Sequence, residues 1–109
     1  MSINEDYTME SSLFDFQAIK DQPNFGIKKY NDSIYRGELE NNKRKGFGVM
    51  VYRKARVYEG QWDKDARNGK GMERYSNGNR YEGEFLNNKP HGKGIYTWAN
   101  GEVYEGQWI

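Results

Sequence analysis

A tyrosine returns every 23 residues, at Tyr35, Tyr58, Tyr81 and Tyr104, with no insertion between them. Each opens the same phrase: Tyr35-Arg36-Gly37-Glu38-Leu39, Tyr58-Glu59-Gly60-Gln61-Trp62, Tyr81-Glu82-Gly83-Glu84-Phe85 and Tyr104-Glu105-Gly106-Gln107-Trp108. The first three are followed by Gly46-Phe47-Gly48, Gly69-Lys70-Gly71 and Gly92-Lys93-Gly94. A fixed period of this length implies stacked units, each completing its burial against the next, in place of one conventional core. Hydrophobic residues make up only 35% of the chain and mean hydropathy is -1.16, values that approach those of disordered chains. Aromatics at 16% argue the other way. Burial here runs on large amphipathic rings, not on Leu, Ile and Val.

Each unit reads as two short strands. In the third, Tyr81, Gly83 and Phe85 alternate with Glu82 and Glu84, a period of two that puts rings and glycine on one face and acids on the other. Residues 86–91 contain Asn87, Asn88 and Pro90 and read as a loop. Residues 92–98 form the return strand. Asn100-Gly101 is then a tight reversal in which both residues tolerate positive φ. Asn77-Gly78 repeats it, whereas the first unit has Lys54-Ala55 at that place. Strand, turn and strand at every step predict an all-β chain in a continuous antiparallel meander. Gly37, Gly60, Gly83 and Gly106 leave room for rings to lie across the backbone. The paired glycines at 46/48, 69/71 and 92/94 permit bends or close backbone approach.

The repeats divide into units 35–57, 58–80 and 81–103 and a partial unit 104–109. Before them, Gly26-Ile27-Lys28-Lys29-Tyr30 aligns with Gly94-Ile95-Tyr96-Thr97-Trp98, which marks 25–34 as a cap strand. Residues 1–24 carry no repeat phrase and form a mostly irregular leader, disordered or docking on a partner. Within it Leu13, Phe16 and Ile19, three residues apart, predict a turn or two of amphipathic helix ending at Asp21-Gln22-Pro23-Asn24. The net charge of +1 hides an asymmetry. Residues 1–25 hold five acids against Lys20, while the remainder holds sixteen bases and eleven acids. Leader and body therefore have opposite signs.

These motifs resemble the MORN repeat (membrane occupation and recognition nexus) family. Its pattern is Tyr-x-Gly-x-Trp, a glycine-containing loop, Gly-x-Gly, and a turn glycine before the next tyrosine. Units 58–80 and 81–103 match nearly throughout, with Phe85 in place of Trp. Unit 35–57 has Leu39 for Trp and Ala55 for the turn glycine. The resemblance covers about residues 25–109. It implies an elongated, twisted, single-layer antiparallel β-sheet of stacked hairpins. It also implies a scaffold of the kind found in cytoskeletal, ciliary and membrane-junction proteins. Some such arrays adjoin a lipid kinase or methyltransferase domain, for which this chain has no segment.

Catalytic chemistry finds little support. His91 is the lone histidine, in a Pro-His-Gly loop without a fixed partner acid, and the chain reads as a non-enzyme. Glu59, Glu82 and Glu105 repeat as a surface ladder facing lysines, unlike the asymmetric pairs of active sites. No metal-ligand cluster or cofactor motif is present; the Gly-Lys-Gly triplets lack the strand-loop-helix context of a phosphate site. The absence of cysteine fits a reducing compartment. Met1–Glu10 is acidic and polar, unlike a signal peptide, and no stretch approaches a membrane span. The expected location is cytoplasmic, on cytoskeleton or in a ciliary axoneme.

The expected partner is a protein in a larger complex, lying along an aromatic face of Tyr58, Trp62, Tyr81, Phe85, Trp98, Tyr104 and Trp108. The strand 104–108 adds an edge open to self-association. The alternative is a peripheral membrane tether, holding anionic lipid through Lys43, Arg44, Lys45, Arg53, Lys54 and Arg56. Near-neutral overall charge disfavours nucleic acid, despite the interleaved rings and lysines.

Overall fold

A computed structural model describes residues 15–109. It opens with helix α1, Phe16–Lys20, whose N-cap Asp15 accepts hydrogen bonds from the amides of Gln17 and Ala18. Phe16 and Ile19 take its half-buried side, as their spacing predicts. Leu13 and the expectation for the leader up to residue 14 lie outside the described residues.

Eight strands follow: β1 (Phe25–Lys29), β2 (Ser33–Glu40), β3 (Lys43–Tyr52), β4 (Val57–Asp63), β5 (Ala66–Arg74), β6 (Arg80–Leu86), β7 (Lys89–Thr97) and β8 (Val103–Trp108). They form one open antiparallel sheet in the order β1 to β8, the meander expected from the repeat. Strands about 4.8 Å apart account for most of the 39 Å long dimension.

One register holds the sheet together. Gly26, Gly37, Gly48, Gly60, Gly71, Gly83, Gly94 and Gly106 pair in succession, one per strand, from edge to edge. The repeat tyrosines lie across this bare row. A Cβ on Gly48, Gly71 or Gly94 would overlap the ring of Tyr35, Tyr58 or Tyr81 respectively. Each hydroxyl donates to the carbonyl three residues on: Tyr35 to Glu38 at 2.7 Å, Tyr58 to Gln61 at 2.8 Å and Tyr81 to Glu84 at 2.8 Å. Glycine is required because the ring occupies the volume a side chain would fill.

The second device bends each hairpin. The register slips between Gly37 and Leu39, between Gly60 and Trp62, and between Gly83 and Phe85. Opposite each slip a glycine takes the left-handed region, Gly46 at φ 81°, Gly69 at 94° and Gly92 at 68°. The amide freed there is recovered by a side chain. Glu38 accepts from Phe47, Gln61 from Lys70 and Glu84 from Lys93, each at 2.7 Å. The acid or amide three residues after each tyrosine is thus a bulge cap. A strict alternation had placed it on a solvated face.

Two turn expectations change. Residues 86–91 are not a loop: β6 runs to Leu86 and β7 begins at Lys89, joined by Asn87 and Asn88 with φ of 48° and 72°. Asn41-Asn42 and Lys64-Asp65 do the same, which makes all three two-residue type I′ hairpins. The Asn-Gly reversals, in contrast, put only glycine at positive φ, Gly78 at 93° and Gly101 at 94°. Their amides reach back to the carbonyls of Tyr75 and Trp98. In the first unit Lys54 and Ala55 themselves sit at φ 59° and 62°. A left-handed alanine costs roughly 1 kcal/mol, so Ala55→Gly is expected to raise stability by about that amount in urea unfolding, a change no contact would explain.

Candidate functional site

The alternation along each strand gives the sheet two faces, and they are built differently. The tyrosine face is closed by an edge-to-face ladder. Tyr35 meets Trp62 at 5.4 Å and Trp62 meets Tyr58 at 5.1 Å between ring centroids. Tyr58 then meets Phe85 at 5.0 Å, Phe85 meets Tyr81 at 5.1 Å, and Tyr81 meets Trp108 at 5.3 Å. Every interplanar angle is between 83° and 87°, the arrangement that sets a ring's positive edge on its neighbour's negative face.

This changes the expected partner face. Tyr58, Trp62, Tyr81 and Phe85 are buried, their surfaces taken by one another. They cannot anchor a partner without unpacking the array. Trp98 and Tyr104 remain open, at 41% and 44% exposure, with Trp108 half-buried against Tyr104. Trp98 lies 4.7 Å from Tyr96, which in turn stacks on Tyr75 at 5.9 Å. Burial pushes the Tyr35 and Tyr58 hydroxyls well above the ordinary range and the Tyr75 hydroxyl up to about 12.

The six basic residues do not form one patch. Lys43, Arg44 and Lys45 begin β3, whereas Arg53, Lys54 and Arg56 follow its other end. Most are matched by acids. Lys45 reaches Glu40 at 3.4 Å and Asp63 at 3.6 Å, Arg53 reaches Asp32 at 2.9 Å, and Arg56 reaches Glu73 at 2.8 Å. Arg44 has a structural task instead. Its Nε and amide both donate to Asp65, its Nη2 donates to the Asp65 carbonyl at 2.8 Å, and its guanidinium covers Trp62 at 4.7 Å. The Arg44 amide, followed by its guanidinium, holds the Asp65 carboxyl below the usual carboxylate range.

Arg67 repeats this 23 residues on. It donates to the Asn88 carbonyl at 2.6 Å and to Glu73 at 2.7 Å while lying over Tyr58 and Phe85. These arginines tie the second and third of the three hairpin tips down over the rings, and Lys28 Nζ donates to the Asn42 carbonyl of the first at 2.8 Å. The 23-residue steps from Arg44 to Arg67 and along Asn42, Asp65 and Asn88 carried that signal, but hairpin bending alone brings them together.

The opposite face carries Val49, Val51 and Val57, packed against Phe16 of α1. Over β5 to β8 it is open, forming a groove of about 640 Å³ floored by Gly71, Gly83, Gly94 and Gly106, with Glu82, Ile95 and Glu105 along one side and Lys70, Glu84 and Lys93 along the other. The acid ladder is only partly as expected: Glu59 is buried and bonded to Arg74 at 2.6 Å, while Glu82 and Glu105 flank Ile95 across the strands. Among the described residues no group of His, Asp and Glu has metal-ligand geometry, and no helix is long and apolar enough to cross a membrane.

An open antiparallel sheet whose repeated side chains serve its own cohesion defines a repeat-built β-meander. The MORN repeat model matches residues 35–54, 58–80 and 81–103, more than half of the chain. The chain belongs to the MORN repeat family, whose members are generally protein- or membrane-binding modules without catalytic function. No curated protein matches it.

Proposed function

We propose that this chain is a non-enzymatic structural module that docks protein within a larger, cytoplasmic assembly of the cytoskeletal or ciliary (axonemal) kind. The observation that carries the protein-binding reading is the pair of open aromatics at β7 and β8. Trp98 and Tyr104 are exposed on a face whose upstream tyrosines are sealed, and large amphipathic rings are the side chains that anchor interface centres. The membrane tether is the weaker reading, because its six basic residues lie at two ends of β3 and most already face acids.

Co-purification from native cells followed by mass spectrometry tests this. A stoichiometric protein partner is expected, lost on Trp98→Ala with Tyr104→Ala, while the melting temperature falls by only a few degrees because both rings are exposed. Recovery of a clean monomer, or binding to anionic vesicles at low salt that disappears on neutralising the six basic residues, overturns the reading.

A further inference from the structure

We infer that the patch of Ile95, Thr97 and Val103 on β7 and β8, beside the groove over β5 to β8, is a docking site for a short basic amphipathic helix of a partner protein. This rests on the protein-binding reading above. The chain itself shows what the site accepts. On the same face, α1 seats Phe16 on Val49, Val51 and Val57. Two repeats later those positions are Ile95, Thr97 and Val103. The pairing is identical: Val49 opposes Glu59 and Val51 opposes Val57, as Ile95 opposes Glu105 and Thr97 opposes Val103. The helix seat is therefore built twice. At the first, Val49 and Val57 are 1% and 6% exposed; at the second, Ile95 and Val103 are 40% and 60% exposed.

Charge selects the occupant. Val49 is flanked across the strands by Arg36 and Glu59, one of each sign. The matching neighbours of Ile95 are Glu82 and Glu105, both acidic. Lys70 stands opposite Glu84 in the ladder, and the groove lining as a whole carries three carboxylates, Glu82, Glu84 and Glu105, against Lys70 and Lys93. The centre of the second seat is thus apolar with a carboxylate on either side. It suits a helix that presents one bulky apolar residue between lysines or arginines. It does not suit the leader of this chain or of a second copy, since residues 1–25 carry five acids against one base.

A labelled synthetic peptide of residues 11–24 carrying Asp15→Lys and Asp21→Lys serves as the probe, with the unaltered peptide as its control, titrated against the full chain at low salt. The lysine peptide is expected to bind at least about tenfold more tightly than the control, the sum of two ion pairs gained and two repulsions removed. The double variant Glu82→Lys with Glu105→Lys is expected to remove that advantage, and Ile95→Ala to weaken both peptides, while the circular dichroism spectrum is retained. Val49→Ala, at the occupied seat, is expected to leave the advantage in place. Equal binding of the two peptides overturns the inference, as does loss of the advantage with Val49→Ala alone while the circular dichroism spectrum is retained. So does self-association of the full chain that Ile95→Ala abolishes, which would assign the patch to a second copy. A native partner still captured by all the patch variants overturns the patch assignment and leaves the protein-binding reading standing.

Discussion

Gly71→Ala is expected to lower stability by about 3 kcal/mol or more, a loss of at least about 10 °C in melting temperature for a chain of this size. The added Cβ would overlap the Tyr58 hydroxyl and the adjoining ring carbons. Tyr58 has nowhere to go. It is fully buried, edge-on to both Trp62 and Phe85, and its hydroxyl is bonded to the Gln61 carbonyl. Backbone shift is closed as well, because Gly71 is paired on one side with Gly60 and on the other with Gly83. Gly101→Ala is the control. Unlike Gly71 it has positive φ, 94°, but a Cβ there meets nothing within 4 Å, so only the backbone cost of about 1 kcal/mol should appear. Thermal unfolding of both variants checks the contrast, and a Gly71→Ala no worse than Gly101→Ala would mean the rings do not rest on the glycine row.

Trp62→Ala should cost about 3–5 kcal/mol, the range for truncating a large buried ring. Trp62 is the rung that joins the first unit to the second: it meets Tyr35 of one and Tyr58 of the other. Its Nε1 donates to the Gly48 carbonyl at 3.2 Å and Arg44 covers its outer side. Truncation therefore strips contacts from both tyrosines and leaves a carbonyl unsatisfied. Trp62→Phe should cost only about 1–2 kcal/mol, because Phe85 fills the same place one unit later with the same edge-to-face geometry. Urea unfolding of the two variants separates loss of the ring from loss of the indole hydrogen bond; equal costs would contradict the ladder as the source of cohesion.

Much of the fold was legible because the repeat acts through neighbours close in sequence. Tyr81 and Gly83, two residues apart, had to share a strand face, and the 23-residue step had to bring Gly83 beside Gly71 and Gly94 in a meander. The candidate site was less legible. Glu38, Gln61 and Glu84 recur at the third place after each tyrosine, yet strict alternation hid their bond to an amide nine residues away. The bulge glycines shift the register there. Rings at Tyr58, Trp62, Tyr81 and Phe85 looked alike as anchors and as core, since the same side chain serves either purpose. Only their mutual distances and burial assign them to the core. Whether Lys43-Arg44-Lys45 and Arg53-Lys54 share a patch depends on the path of the chain between them, and β3, an extended strand over Lys43–Tyr52, carries them to opposite ends.

The sequence by itself determined the all-β antiparallel meander, because period-two alternation and turn chemistry act over a few bonds. The tertiary structure alone decided which surface is left for a partner. That depends on three contacts between units: hairpin tips bent over the tyrosines and held by Arg44 and Arg67, rings sealed by the ring of the next unit, and α1 seated on one of two equivalent patches. Each joins residues far apart in the chain through register and bending, and the repeating phrase encodes those only jointly.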